Sequence, residues 1–483
     1  MSQPRITLLQ SHRERLERWL PSHPEHHERA AVVLFRSFAR EVLEQTQSER
    51  LVSVDVIEMT DDWLVESSVI SVKVNLRKLV DLYFRCEQEG LHLGFVHSHP
   101  LGADAFSGQD DQNEQNILRG YAGCNGRDSR LVALVYVDGE WIGRVRYATK
   151  PTESSPVRHI LTLGETLAVH HLTNPEGDLA TLERQAAAFG RPFNQKLQSL
   201  RVAVVGCGGT GSPTATLLAR AGVGELILID GDNLEESNLN RVRGLRRDDV
   251  GHNKAERLCS YIRSLSLPTS VSFVPNYLED NRAAVDALSS ADVVFGCTDT
   301  VASRELLNEA LYYYGFVLID CGLSGEVAST ADGKPRLIEH RGRVSTVQPE
   351  TGACLRCQGV VTDNKLRYER AVNENPELKK LDAKTLLREH YLVGGGEAAP
   401  GVGPFTSATA DLAVSSLFEL IHPYRQLGGD FRPDNIWQDY LHMTYHSNEP
   451  RNLSADCYCC GTRAILLKRE RQVLLDRPAL GTI

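Results

Sequence analysis

Apolar residues recur at helical spacing through His12 to Leu20 and again through Ala30 to Leu43, so the first fifty or so residues read as helical. Short runs rich in β-branched residues follow at 51–57 (LVSVDVI), 91–96 (LHLGFV) and 131–138 (LVALVYVD), with the length and composition of strands. A polar helical run at 112–119 begins just after Asp110. These elements predict a compact α+β unit that closes near residue 150. The stretch 150–156 (KPTESSP) has linker composition and 174–177 (NPEG) is a second loose segment, which places a boundary between 150 and 180. Beyond it the texture changes. Apolar runs at 200–205, 225–230, 271–275, 292–296 and 316–320 alternate with helical stretches, the pattern of a parallel sheet covered on both faces. The expected fold class is therefore α/β: an α+β unit over 1–155, a linker over 156–179 and a Rossmann-like unit over 180–470. No internal repeat is evident.

At 483 residues the chain exceeds one ordinary core. Its 41% hydrophobic and 24% charged residues are ordinary for a globular protein. No stretch approaches the roughly 18 apolar residues of a membrane span, and the first twenty residues carry arginines and glutamates where a signal peptide needs an apolar core. A cytoplasmic protein without a membrane partner is expected. The net charge of −10 argues against nucleic acid as the main partner. Eleven cysteines without an export signal point to metal ligands and reduced thiols more than to disulfides.

Candidate chemistry begins at His97-Ser98-His99-Pro100-Leu101-Gly102, followed by Ser107-Gly108-Gln109-Asp110. Residues two apart on a strand share a face, so His97 and His99 can reach one ion. Ser107 is placed to cap a helix that brings Asp110 to the same point. Two imidazoles and a carboxylate leave a fourth zinc position for water, the open arrangement that hydrolysis requires. The pattern resembles the JAB/JAMM metalloproteases, deubiquitinases and trimming enzymes of ubiquitin-like proteins, over about residues 20–148. That resemblance implies an upstream glutamate as general base, at Glu28, and an oxyanion role for Ser107. Glu25, Glu58 and Glu66 are rivals to Glu28 on spacing alone.

A second constellation opens with the glycines Gly206, Gly208, Gly209 and Gly211 after an apolar strand, a phosphate cradle shared by dehydrogenases and adenylating enzymes. An acidic residue, Asp230, follows where a ribose would be gripped. Asn238 and Arg241, for which a nicotinamide enzyme has no evident use, come next. With 251–254 (GHNK) and 296–299 (GCTD), these segments resemble the activating-enzyme family that includes ubiquitin-activating enzymes and the bacterial ThiF and MoeB proteins, over about residues 180–463. The resemblance implies that Asp230 binds the ATP ribose and that Asn238, Arg241 and Lys254 hold the phosphates. Magnesium falls to Asp299, with Asp232 as a second candidate. Arg184 is implied to act on the ATP of a partner subunit in a homodimer.

Cys354 with Cys357, and Cys457 with Cys460, are paired thiols about a hundred residues apart, suited to a closed structural zinc site. Cys459 leaves the second pair open to two assignments. Between Cys357 and Cys457 there is no cysteine, so a thioester cannot form where ubiquitin-activating enzymes carry theirs. The remaining thiols are Cys86, Cys124, Cys207, Cys259, Cys297 and Cys321; Cys207, Cys297 and Cys321 fall in or beside core strands. The expected function is zinc-dependent trimming or deconjugation of a ubiquitin-like protein plus ATP- and magnesium-dependent adenylation of its C-terminal glycine, with a separate conjugating enzyme as a possible acceptor. The alternative is sulfur-carrier activation through a thiocarboxylate. A non-catalytic scaffold and a nicotinamide oxidoreductase are more distant readings.

Overall fold

The computed structural model describes residues 4–39, 49–172, 180–381, 383–390, 392, 401–426, 433–447 and 454–461. The chain divides into two compact units, 1–176 and 177–483.

In the first unit β1 (Arg5–Leu9), α1 (Gln10–Trp19), β2 (Ala30–Ala39) and β3 (Glu49–Met59) are followed by a small hairpin, β4 (Leu64–Ser68) and β5 (Ser71–Val74). Then come α2 (Val80–Glu89), β6 (His92–Ser98), α3 (Gly108–Asn125), β7 (Arg130–Val137), β8 (Glu140–Tyr147), β9 (Lys150–Pro156), β10 (His159–Leu163) and β11 (Leu167–His171). Among the described residues one mixed sheet runs in the order β11-β10-β1-β3-β2-β6-β7-β8-β9. Its two faces carry separate apolar clusters. Ala31, Val33 and Phe35 of β2 pack with Leu16 and Leu20 on one face, while Ala30, Val32 and Leu34 pack with Tyr83, Ile117 and Tyr121 on the other.

That double burial explains one correction. The apolar run from Ala30, expected as helix, is strand β2, because a strand covered on both faces loses the period-two alternation by which strands are recognised. The expected linker at Lys150–Pro156 is strand β9. Among the described residues it pairs only with β8, at the sheet edge, where polar residues and proline are tolerated. Residues 159–171, also expected as linker, form β10 and β11, and β10 pairs in parallel with β1. The loose segment at 174–177 lies outside the described residues.

In the second unit α4 (Glu183–Phe189) and α5 (Arg191–Ser199) precede β12 (Arg201–Val205), α6 (Gly211–Arg220), β13 (Glu225–Ile229), α7 (Lys254–Ser264) and β14 (Ser270–Val274). The chain continues through α8 (Arg282–Ser289), β15 (Val293–Gly296), α9 (Val301–Tyr314), β16 (Val317–Ser329), β17 (Pro335–Val347), α10 (Asp363–Glu374), α11 (Ala383–His390), α12 (Gly403–Ile421), β18 (Asn435–Asp439) and β19 (Thr444–Ser447). The sheet order is β14-β13-β12-β15-β16-β17-β18-β19. The first five strands are parallel, as the apolar runs predict, and β17 to β19 add an antiparallel extension that the sequence reading lacks. The chain steps outward from β12 to β14 and then returns to the other side of β12 at β15. Between the C-terminal ends of β12 and β15 therefore lies the crevice where α/β sheets bind ligands. Among the described residues no helix is long and apolar enough to cross a membrane.

One buried ion network fastens α3 to the first sheet. Glu114 is fully buried and accepts from Arg144 at 2.8 and 2.9 Å and from Arg146 at 2.6 Å. Glu114→Ala would leave these guanidiniums with only the half-exposed Asp111 as counter-charge, and we expect it to cost about 3 kcal/mol. The measurement is the urea midpoint of the full chain, with Arg119→Ala at an exposed position of the same helix near wild type.

Candidate functional sites

On β6, Leu93 and Phe95 face the cluster that contains α3, so His97, two residues on, points the same way, and His99 follows just past the end of the strand. Ser107 is the N-cap of α3. Its hydroxyl accepts from the Asp110 backbone N–H at 3.2 Å, while the Asp110 carboxylate accepts from the Ser107 N–H at 2.7 Å. This reciprocal cap turns Asp110 back toward the strand. His97 Nε2 then lies 3.1 Å from His99 Nε2 and 3.0 Å from Asp110 Oδ1, with His99 Nε2 3.6 Å from Asp110 Oδ2. His99 Nδ1 is 2.7 Å from the Ala103 carbonyl, which orients that ring. Zinc–nitrogen bonds of about 2.0–2.1 Å at tetrahedral angles place two donor atoms about 3.3 Å apart, so the spacing suits one zinc ion.

The electrostatics point the same way. Desolvation works against a charge on His99, but hydrogen bonding to Asp110 and to the Ala103 carbonyl raises its pKa overall. Asp110, despite its burial, is held well below the usual carboxylate range by His97 and His99. A field that holds protons here also attracts a cation. Glu28, buried and two residues before β2, is on the same face as Ala30, which pairs with His97. Its N–H donates to the Ser68 carbonyl at 2.8 Å and its own carbonyl accepts from Ser67 at 2.9 Å, so the small hairpin fixes it. Burial raises the Glu28 carboxyl pKa, against the lowering fields of His97 and His99. Its rivals lie elsewhere: Glu25 is exposed beside His27, Glu58 pairs with Arg15 at 2.8 Å, and Glu66 is exposed on β4. The Ser107 hydroxyl also donates to Asp110 Oδ2 at 2.8 Å, a use that the sequence reading did not anticipate.

In the second unit the loop from β12 to α6 is a tight glycine turn at the crevice. Gly206 has φ +88°, and a Cβ there would meet the Cys297 carbonyl at 2.6 Å; one on Gly211 would meet the Gly206 carbonyl at 1.7 Å. A Cβ on Gly208 meets nothing within 4 Å, so this glycine fronts open space where a ligand can approach, while Gly209 abuts Arg241. Asp230, at the end of β13, accepts from the Cys207 N–H at 2.6 Å and from the Asp232 N–H at 2.8 Å. Its burial raises the carboxyl pKa, against those two hydrogen bonds.

Two expected ligands are engaged with each other. Lys254 Nζ lies 2.7 Å from Asp232 Oδ2, so each neutralises the other. Asp232 also accepts from the Tyr277 hydroxyl at 2.5 Å, which pushes that phenol up to about 12. Asn238 accepts from the Glu235 N–H at 3.2 Å as part of a local cap. Arg241 donates to the Ser237 carbonyl at 2.8 Å. Asp299 is exposed in the loop between β15 and α9, and Arg184 is exposed on α4. One exposed carboxylate suits magnesium, which keeps several waters and takes the rest of its shell from phosphates.

The sequence reading missed Asn253 and Tyr277. Asn253 donates to the carbonyls of Asp230 and Asp232 at 2.9 and 3.2 Å and caps α7, a role visible in its place just before Lys254. Tyr277 had no local signal; it arrives from the loop after β14 against Gly231.

The two cysteine pairs meet. Cys354 and Cys457 sulfurs are 3.6 Å apart and those of Cys357 and Cys460 3.5 Å, with all four donors within 4.8 Å of one another. Tetrahedral zinc with bonds of about 2.3 Å spaces its thiolates about 3.8 Å apart. Cys459 instead accepts from the Asn308 amide at 3.4 Å, and Asn308 Oδ1 accepts from the Leu355 N–H at 2.8 Å. Of the remaining thiols, Cys86, Cys207, Cys259 and Cys321 are buried, while Cys124 and Cys297 are half-buried.

Residues 182–459 match the model of the ThiF family. The chain belongs to that family. It is 28% identical over 60% of its length, and 51% of the relative's, to the adenylyltransferase and sulfurtransferase uba4 of Aspergillus terreus. It is 33% identical over 34% of its length to the SAMP-activating enzyme E1 of Haloferax volcanii, covering 54% of that protein. The chain thus spans about half the length of these curated relatives. A crystal structure of E. coli MccB aligns over 60% of this chain and 76% of its own, with 20% identity and a TM-score of 0.43. The ThiF match identifies the second unit as an α/β, Rossmann-like adenylation fold.

If the four sulfurs hold zinc, Cys457→Ser should lose one tightly held zinc per chain, whereas Cys459→Ser should keep it. Elemental analysis after dialysis against a weak chelator distinguishes the two.

Proposed function

We propose that the second unit adenylates the C-terminal carboxylate of a small sulfur-carrier or ubiquitin-like protein, and that the activated acyl group is passed to sulfur as a thiocarboxylate. The observation that carries the reading is the glycine turn at the crevice between β12 and β15, bordered by Lys254, Arg241 and Asp299. A carboxylate oxygen attacks the α-phosphorus of ATP, the bond to the β-phosphate oxygen breaks, and pyrophosphate leaves. The open face at Gly208 and the N-terminus of α6 receive phosphate, and Asp230 fixes the loop while facing the ribose. Arg241 and Lys254 offset the charge that gathers on phosphate oxygens, and Asp299 would hold magnesium, which supplies further neutralisation when bound. Arg184 acts on the partner subunit's nucleotide in a homodimer.

Two observations favour sulfur over conjugation. The segment from Cys357 to Cys457 contains no cysteine to take the acyl group. The uba4 relative is named an adenylyltransferase and sulfurtransferase. Sulfide attacking the acyl carbon would displace AMP and leave a thiocarboxylate.

The first unit is a zinc peptidase of the JAMM kind in this reading, supported by the convergence of Glu28, His97, His99 and Asp110. Zinc held by His97, His99 and Asp110 would supply an acidic bound water. Glu28 accepts a proton there and returns it to the leaving amine. Such a unit would expose the C-terminal glycine of the same small protein. Two sites on one chain raise the local concentration of the shared tail.

Exchange of radiolabelled pyrophosphate into ATP, dependent on a small protein ending in glycine, tests the adenylation. Lys254→Ala should slow it about 10²–10³-fold, and absence of exchange with every candidate carrier would defeat the proposal. For the peptidase, Glu28→Gln should reduce cleavage of a carrier extended beyond its glycine by about 10²–10⁴-fold, with zinc content unchanged.

A further inference from the structure

Helix α10 reaches the nucleotide crevice through one side chain. Glu369 Oε1 accepts from the Val301 N–H and Oε2 from the Ala302 N–H, both at 2.8 Å, although the residues are 68 and 67 positions apart. These are the first two backbone donors of α9. The third, Ser303 N–H, donates to the Thr300 hydroxyl at 3.2 Å. The first turn of α9 thus has side-chain acceptors for three donors that helices ordinarily leave unpaired, two of them from a distant helix.

Asp299 is the second residue before that turn. On its other side, Arg304 Nη2 donates to the Thr298 carbonyl at 2.7 Å, and the Cys297 N–H donates to the Val205 carbonyl at 2.8 Å. The loop is held at both ends while the Asp299 carboxylate stays exposed. Helix α10 is in turn secured beside the cysteine cluster. Arg356 pairs with Asp363 at 2.9 Å and with Glu305 of α9 at 2.7 Å, and Lys365 donates to the carbonyls of Gly359 and Val360 at 3.0 and 2.9 Å.

We infer that Glu369 is a positioning residue for Asp299: by fixing where α9 begins, it sets the carboxylate that holds the nucleotide's metal ion and couples the segment between the cysteine pairs to that ion. This rests on the role given to Asp299 above. A carboxylate at this helix terminus also occupies the donors that would otherwise compete with the α6 turn for phosphate.

The test is a Mn²⁺ titration of the full chain with a non-hydrolysable ATP analogue, following free Mn²⁺ by electron paramagnetic resonance. Glu369→Ala should weaken Mn²⁺ binding about tenfold, the lower end of the usual cost of losing a supporting partner beyond the ligands. Glu369→Gln, which keeps one acceptor, should fall between it and wild type. In an Asp299→Asn background Glu369→Ala should add nothing, because the two act on one ligand. An equal shift in both backgrounds would mean a general structural effect and overturn the inference, as would an unshifted Glu369→Ala beside a weakened Asp299→Asn. If Asp299→Asn itself leaves Mn²⁺ affinity unchanged, the assignment of Asp299 falls, and the inference with it. Amide exchange at Val301 and Ala302 reports independently whether the cap has been lost.

Discussion

The second unit depends on the closure of the turn after β12, where backbone passes so close to backbone that no side chain fits. Gly211 packs against the Gly206 carbonyl and Gly206 against the Cys297 carbonyl, so the two loops that flank the crevice define each other's position. Asp230 completes the arrangement by accepting one N–H from the turn and one from its own loop. The donors of the α6 terminus are thereby fixed in direction without a ligand, which lowers the ordering cost of binding one there. The pairing of Lys254 with Asp232 serves the same loop: a largely buried ammonium is given a counter-ion.

The first unit uses a different device for a similar end. Its cluster of His97, His99 and Asp110 comes from one strand and one helix, and the cap by which Ser107 opens α3 turns the Asp110 carboxylate toward the two imidazoles. One turn further on, Glu114 and the two arginines of β8 hold the helix against the sheet, and the Arg144 guanidinium lies 3.8 Å over the Phe106 ring in the loop leading to Ser107. The donor geometry thus has a rigid backing on the side away from solvent.

Both candidate metal clusters and the glycine turn were legible in the chain, because each is written as short spacings that survive folding: two residues along a strand, three across a cap, two within a cysteine knuckle. What was not legible is long-range. Nothing near Tyr277 announces Asp232, and nothing near Glu369 announces Val301, since each contact is made by elements that meet only in the fold. The reading of Ala30 to Leu43 as helix, corrected to strand over Ala30–Ala39 with 40–43 outside the described residues, has another origin: a strand with apolar partners on both faces carries no periodic signal. The polar Lys150–Pro156 was mistaken for a linker because an edge strand needs little hydrophobic pattern. The choice between Cys457 and Cys459, open on spacing, turns on which sulfur lies within 4.8 Å of all three others, and that is Cys457, whereas Cys459, also beside Cys354, accepts from Asn308.

The parallel pairing of β1 with β10 carries a practical implication. The first strand of the chain lies between β3 and a strand that begins at His159, so the amino-terminal segment completes its sheet only after some 150 further residues have been made. A fragment ending at residue 155 would leave the row of backbone groups on β1 open to whatever strand it meets, inviting self-association. Nascent chains carry the same open edge on the ribosome until β10 emerges.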